Sequence, residues 1–337
     1  MLMKAMLLDR CTSLLEDNAP LKSVELPVPE PGPGEILIEI SACGVCHTEL
    51  DEIEGRLPPP RLPVIPGHQA VGRVVMLGTG VRRERGERVG VGWIHHSSGD
   101  TNENISDQFV ATGLDVNGGY AEYMTVPDHY ATAIPEVFTD IQAAPLLCAG
   151  AIGYRALNLT GLADGQALGL TGFGGSAHLV LQLARHRFPN GEIFVFARDE
   201  TARDFATSLG ATWVGNTTDR APVMLDAVID TTPVWLPVVE ALKNLKPGGR
   251  LVINAIRKED GDKSELLKLN YHEHLWMERE IKSVANITRH DIAAFLPLAA
   301  EIPITTEVQT YPLEEANDAL VALKREPVRG AKVLKIR

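Results

Sequence analysis

The sequence predicts an α/β protein of two parts, a partly closed β-rich unit and a doubly wound parallel sheet. Three observations carry that expectation. Up to Cys148 the chain is a series of short strand-like runs separated by glycine and proline. From Ala167 a strand pattern leads straight into Gly172-Phe173-Gly174-Gly175-Ser176-Ala177, then a helical stretch and a second strand. A length of 337 residues suits two domains, each large enough to bury its own core.

Taken in order, Pro27, Pro29, Pro31, Gly32, Pro33 and Gly34 form a rigid extended run into Glu35–Ile40, where apolar and polar residues partly alternate as in a strand. Pro58-Pro59-Pro60-Arg61-Leu62-Pro63 does the same ahead of His68. Val71–Val75 and Arg88–Val91 read as further strands, and Gly118-Gly119-Tyr120-Ala121-Glu122-Tyr123 leads into another. Short strands with glycine turns predict a partly closed β-domain. Next come a buried strand at Ala167–Thr171, a helix at His178–Arg187 and a strand at Ile193–Ala197. A lone glycine-rich turn is more often structural. Inside this βαβ unit, G-x-G-x-x-A lets the backbone approach a pyrophosphate at the helix N-terminus, which predicts a Rossmann domain. Asp226–Asp230 and Arg250–Ala255 are later strands, the second after a Lys246-Pro247-Gly248-Gly249 turn. Ile292–Ile302 and Leu313–Leu320 read as helical, and Ala331–Ile336 as a closing strand.

Composition narrows the function. The net charge of −12 argues against a general nucleic-acid or anionic-membrane binder, while leaving room for a local basic pocket. Four cysteines are too few for a disulfide scaffold and fit a reducing cytoplasm, with Cys11 expected as a packed thiol. The first ten residues hold too short an apolar run for a signal peptide, and no stretch approaches a membrane span.

The chemistry gathers on Cys43-Gly44-Val45-Cys46-His47-Thr48-Glu49, Pro66-Gly67-His68-Gln69 and Pro145-Leu146-Leu147-Cys148-Ala149-Gly150. Cys46, His68 and Cys148 supply two thiolates and an imidazole, a set suited to Zn²⁺ with a fourth position open. Any one of them alone is better read as a core residue. Together with Gly67-His68-Gln69-Ala70-Val71-Gly72, Gly78 and Val81, and with Cys148-Ala149-Gly150 followed by Tyr154, the blocks resemble the zinc-dependent alcohol dehydrogenases of the medium-chain dehydrogenase/reductase family. The resemblance runs over nearly the whole chain. It implies a GroES-like catalytic domain, residues 1–149 and 286–337, with the Rossmann domain, residues 150–285, inserted between its two segments.

The resemblance also implies roles. One catalytic zinc would sit on Cys46, His68 and Cys148, with Cys43 packed beside it. Thr48 resembles the first proton-relay hydroxyl, its alternative being a helix N-cap. Glu49 stands where an aspartate usually orients the zinc-bound histidine, and Asp51 replaces a histidine at the outer end of the relay. His47 resembles a pyrophosphate contact, alternatively a surface histidine, and Trp93 a substrate-pocket wall that favours slim substrates, alternatively a core tryptophan. Gly172, Gly174, Gly175, Ser176 and Ala177 form the cofactor loop. Gln69 replaces the signature glutamate and Ile152 a threonine. Many relatives carry four cysteines for a structural zinc. Here that region is His95–Ser106, with Ser98 and Ser106 aligned to the outer cysteines and the adjacent histidines read as solvated, so no structural zinc is expected.

At the end of the second Rossmann strand, the resemblance, with Leu209-Gly210-Ala211 aligned to the family's Leu-Gly-Ala, puts Ala197 at the position where an NAD site usually places a carboxylate. Arg198 follows, with a cation suited to a 2′-phosphate, so NADP(H) is favoured and NAD(H) remains possible. The alternative leaves Arg198 solvated and gives the ribose to Asp199. The expected activity interconverts small primary alcohols and aldehydes by hydride transfer with a nicotinamide cofactor, in a cytoplasmic homo-oligomer, a dimer or tetramer. Absence of metal at Cys46 would favour a zinc-free quinone or enone reductase of the same fold. A non-catalytic NADP(H)-binding sensor or scaffold is the reading from a different class, weighed against by the complete ligand triad.

Overall fold

The strand begun at Glu35 runs to Val45, five residues beyond its alternating part, because it has partners along both edges. It pairs antiparallel with Ala70–Leu77, Tyr123–Pro127 and Ala331–Lys335. Between such neighbours it is buried almost throughout, so the strict alternation of a half-exposed strand is not required of it. Ile36, Ile38 and Ile40 are at most 1% exposed, each contributing roughly 1.5–3 kcal/mol by leaving water. The seven-stranded sheet runs Val308–Pro312, Ala331–Lys335, Glu35–Val45, Ala70–Leu77, Arg88–Val91 and Ala131–Ala133, with Tyr123–Pro127 branching from the central strand. A hairpin of Leu2–Leu8 and Leu21–Pro27 accompanies it.

The structure, a computed structural model, describes residues 1–302, 304–326 and 329–337. They divide into two units. One is Met1–Ala151 with Ile287–Ala300 and Thr305–Arg337, and the other is Ile152–Asn286 with Glu301–Ile304. Pro303, Pro327 and Val328, within the segment expected to close the catalytic domain, lie outside the described residues.

The second unit is built on a six-stranded parallel sheet. Its order is Trp213–Gly215, Glu192–Phe196, Ala167–Thr171, Leu225–Asp230, Leu245–Ile253 and Glu280–Ser283, the Rossmann order 3-2-1-4-5-6. Ala167–Thr171, the first strand in sequence, is central and buried at every position. The helix after it spans Ala177–Arg187, one residue longer at its start than the sequence pattern suggests. The turn expected at Lys246–Gly249 is instead part of the strand Leu245–Ile253. The extra residues are absorbed by a register shift between Leu225 and Ala227 of its neighbour, with Gly248 at φ +72°. The closing helices also shift. The first runs Arg289–Glu301, and the second opens as a 3₁₀ turn at Leu313–Glu315 before the helix Ala316–Arg325.

One ionic clasp anchors the short helix His47–Ile53 to the sheet domain. Glu54, its C-cap, accepts the Leu14 N–H at 2.9 Å and pairs with Lys324 and Arg56. Burial pushes the Glu54 carboxyl up, but the bonds from Lys324, Arg56 and the Leu14 amide outweigh it and hold its pKa at about 2, against an ordinary 4.5. A folded pKa below the unfolded one gives stability that is present above pH 4.5 and lost as pH falls towards 2. Thermal melts of wild type and Glu54→Gln across that window should therefore converge as pH falls. Parallel curves would show that Glu54 contributes no such linkage.

Candidate active site

The metal candidates are positioned by three different local devices. Cys46 is the N-cap of the helix His47–Ile53, extended at φ −137° and ψ −178°, and its sulfur accepts the Thr48 N–H at 3.4 Å. His68 follows Gly67, whose φ of +99° and close approach to Tyr120 leave no room for a side chain. A Cβ there would stand 2.3 Å from the tyrosine ring. Cys148 ends the 3₁₀ turn Ala144–Leu147, and its N–H reaches Pro145 O at 3.4 Å. The Nε2 atom of His68 lies 3.6 Å from Cys46 Sγ and 3.3 Å from Cys148 Sγ, and all three ligand atoms fall within 4.8 Å of one another. Zn–S bonds of about 2.3 Å and Zn–N bonds of about 2.0–2.1 Å at tetrahedral angles put sulfur and nitrogen about 3.5 Å apart. The donor set and its spacing thus fit Zn²⁺. Among the described residues this is the one group of three or more such side chains brought within that range.

Glu49 ties two of the ligands. Its Oε1 stands 2.7 Å from His68 Nδ1, and its Oε2 accepts the Cys46 N–H at 2.8 Å. With Nδ1 facing a carboxylate, Nε2 is the nitrogen presented to the sulfurs. Burial works against charge at His68, but Glu49 and the Cys46 thiolate beside it raise its pKa well above the ordinary value. Burial likewise opposes ionisation of Glu49, and the imidazole wins, leaving its pKa below the usual carboxylate range.

The remaining sequence candidates scatter around this centre. Thr48 is buried inside the helix rather than capping it, because Cys46 takes the cap. Asp51 is 3% exposed and its Oδ1 holds the Arg56 Nε at 2.6 Å. His47 is exposed. Trp93 is half-buried, its ring 6.1 Å from that of His68 and 5.8 Å from Phe109. Cys43 is fully buried, and Cys11 is partly buried with its thiol on Glu52 O.

The region read as a solvated loop is more ordered than the sequence suggests. His95 belongs to the strand Ile94–His96 and is half-buried, with burial lowering its pKa. Eight residues on, Glu103 is fully buried. It accepts the Arg289 N–H at 2.8 Å and the Tyr130 hydroxyl at 3.2 Å, and its carbonyl takes the Ser97 hydroxyl at 2.6 Å.

In the second unit, Gly172 has φ +75°, and its N–H bonds Phe196 O at 2.9 Å. Any Cβ on Gly174 would project into open space, and Ser176 makes no side-chain cap to the helix Ala177–Arg187. An open backbone loop ending on an uncapped helix N-terminus fits a pyrophosphate. Ala197 is buried and Arg198 exposed, with no partner to its guanidinium among the described residues. Asp199 caps the helix Glu200–Ser208 through the Thr201 N–H at 3.2 Å. Arg203, which no sequence pattern marks, donates to the carbonyls of Ala197 and Arg198 at 2.7 and 2.9 Å and adds a second cation at this strand end.

Residues 32–136 match the alcohol dehydrogenase GroES-like domain. Over 332 residues, 95% of the chain and 94% of the relative, the protein is 43% identical to "Probable alcohol dehydrogenase AdhA" of Mycobacterium tuberculosis. The chain belongs to the alcohol dehydrogenase family. An alcohol dehydrogenase of Geobacillus stearothermophilus is 32% identical over 99% of both chains. A cinnamyl alcohol dehydrogenase of Sorghum bicolor superposes with a TM-score of 0.84 at 25% identity, covering 99% of this chain and 98% of that one. This is therefore a zinc-dependent dehydrogenase with a GroES-like domain and a Rossmann domain.

As isolated, this dehydrogenase should carry about one Zn²⁺ per chain on Cys46, His68 and Cys148. Glu49→Gln should weaken zinc about 10–100-fold, the usual cost of losing the partner of a metal-bound histidine. Chelator competition followed by metal analysis checks this, and zinc retention equal to wild type would remove Glu49 from that role.

Proposed function

We propose that the protein interconverts small primary alcohols and aldehydes, using NADP(H) in preference to NAD(H) and one catalytic zinc. The observation that carries the reading is the Cys46–His68–Cys148 cluster with Glu49 behind it. Relatives named as alcohol dehydrogenases support the substrate class. When bound, Zn²⁺ supplies Lewis-acid polarisation of the substrate oxygen and the nicotinamide supplies the hydride chemistry.

The chain's own residues orient the substrate and carry the proton. Thr48, buried two residues after Cys46, offers the hydroxyl that takes the alcohol proton. Asp51 is committed to Arg56, so the proton passes onward to water. The rigid Trp93 ring beside His68 narrows the approach and favours slim substrates. The open loop at Gly172–Ala177 takes the pyrophosphate, and Arg198 with Arg203 meets the 2′-phosphate that Ala197 does not repel. With Asp199 used as a helix cap, the competing ribose acceptor is engaged.

A homo-oligomer is proposed through the sheet edge Glu280–Ser283. All four of its residues are exposed beside exposed Trp276 and Met277, and Glu280 and Lys282 flank Ile281 with opposite charges, as a second antiparallel copy needs. No helix of the described residues is long and apolar enough to cross a membrane. Thiolate zinc ligands favour the reducing cytoplasm.

Two experiments test this. In a panel of primary alcohols, Cys148→Ser should abolish oxidation while cofactor binding persists, and Thr48→Ala should lower turnover by about 10²-fold or more. Asp51→Asn should cost little by comparison. Oxidation that survives Cys148→Ser would exclude the metal-dependent reading.

For the cofactor, kcat/KM with NADP and NAD should favour NADP in wild type. A charged hydrogen bond is worth roughly 1.5–3 kcal/mol, so Arg198→Ala should weaken NADPH binding about ten- to hundredfold and leave NADH nearly unchanged. Ala197→Asp should shift preference towards NADH. A wild type that prefers NAD, with Arg198→Ala affecting both cofactors equally, would return Arg198 to the role of a surface charge.

A further inference from the structure

Asp230 is the last residue of the strand Leu225–Asp230 and is fully buried. A buried carboxylate persists only when its charge and lone pairs are met. Here they are met by side chains from three places in the chain. Oδ1 accepts the Thr171 hydroxyl at 2.6 Å and the Thr232 hydroxyl at 2.8 Å, and Oδ2 pairs with the Lys258 ammonium. Lys258 is itself 7% exposed, and its Nζ also donates to Thr232 O at 2.7 Å and Val234 O at 2.9 Å. Three acceptors match the three N–H bonds of an ammonium.

The position of this node matters more than its strength. Thr171 ends the central strand and immediately precedes Gly172 of the phosphate loop. Its carbonyl accepts both the Thr231 N–H at 3.0 Å and the Thr231 hydroxyl at 2.9 Å. A Cβ on Gly172 would stand 2.8 Å from Thr232 Cγ2 and 2.9 Å from Thr231 Oγ1, so the Thr231–Thr232 segment lies directly against that glycine. The next strand joins through Asn254, whose N–H bonds Asp230 O at 2.8 Å and whose Nδ2 donates to Ser176 Oγ at 3.0 Å, at the start of the loop helix. Residues after that strand fold back over the same segment. Beyond Lys258, the Glu259 N–H reaches Pro233 O at 2.6 Å, and Asp262 accepts the N–H groups of Trp235 and Leu236 at 2.8 Å each. The carboxyl ends of three adjacent parallel strands are thus joined at one buried ion pair. That is the edge outside which ligands of open α/β sheets bind.

Resting on the proposal that this edge takes a nicotinamide dinucleotide, we infer that Asp230 and Lys258 are positioning residues for the cofactor. The pair clamps the segment 254–262 onto Thr231–Val234 and through it sets the register of Thr171 and Gly172. Neither side chain needs to touch the cofactor. Losing Lys258 alone leaves a buried carboxylate that must find water or new donors, and Thr171 and Thr232 are the groups it draws out of place. Losing both charges together removes that conflict while an amide at position 230 still accepts from the two hydroxyls.

The test is direct titration of the zinc-loaded protein with NADPH and with NADH by fluorescence, alongside Tm. Lys258→Met should raise both Kd values about ten- to hundredfold, since the position acts on the loop rather than on the 2′-phosphate. The double variant Asp230→Asn/Lys258→Met should recover most of that loss, and Lys258→Arg should fall between Lys258→Met and wild type. A lowered Tm with unchanged Kd in Lys258→Met would make the pair merely structural and overturn the inference. So would a double variant that binds no better than Lys258→Met. If Lys258→Met does not fold, Thr232→Val decides, with a Kd raised several-fold in support and a wild-type Kd against. A wild type that binds neither cofactor would instead fail the underlying cofactor reading.

Discussion

The contact on which the catalytic domain turns is the Glu49 carboxylate, shared between the ring of His68 and the backbone amide of Cys46. A carboxylate buried to this degree is unfavourable unless both oxygens are met. Meeting them requires that the turn at Gly67 and the start of the helix His47–Ile53 arrive at the same place. One oxygen completes the helix cap and the other selects the imidazole nitrogen that faces the thiols. The helix is only seven residues long, too short to hold itself in water. Its rigidity comes from that cap at one end and from Glu54, clasped by Lys324 and Arg56, at the other. Metal geometry and domain stability therefore share a single short element.

Much of this was legible in the sequence because the constraints are local. A glycine that must sit at φ +99° against a tyrosine ring, next to a histidine, leaves a mark at fixed spacing, and so does a strand running into G-x-G-x-x-A. The strand at Arg88–Val91 and the buried strand at Ala167–Thr171 coincide with their sequence patterns for the same reason. The role of Glu49 was legible only through family likeness, since nothing in the spacing of a helix tells which residue across the fold its carboxylate will meet.

What the sequence hid is polar and long-range. Glu103 and His95 lie in a segment rich in Ser, Asn, Asp and Gly, which reads as solvated loop. Its burial depends on Arg289 and Tyr130, far away in the chain. Asp230 and Lys258 look like a strand end and a surface lysine, and only the parallel order of the sheet brings them together. The Lys246–Gly249 stretch departs from its sequence pattern because Pro-Gly-Gly signals a break, whereas the strand pairing accommodates it as a bulge. Turn chemistry reports local backbone preference, and tertiary pairing overrode it.

The charge distribution completes the physical picture. A chain of net charge −12 should repel a polyanionic dinucleotide at long range. At physiological ionic strength that repulsion is screened beyond about 8 Å, so the local field at the sheet edge decides. There the N-terminus of the helix Ala177–Arg187 carries no side-chain cap, and Arg198 and Arg203 stand beside a strand end with no carboxylate of its own at position 197. Asp199, two residues past Ala197, gives one carboxylate oxygen to a helix cap, and Asp230 is neutralised inside the sheet by Lys258. The fully buried acid at this edge, Asp230, is thus compensated by its own lysine. This lets an acidic protein keep an edge suited to an anion.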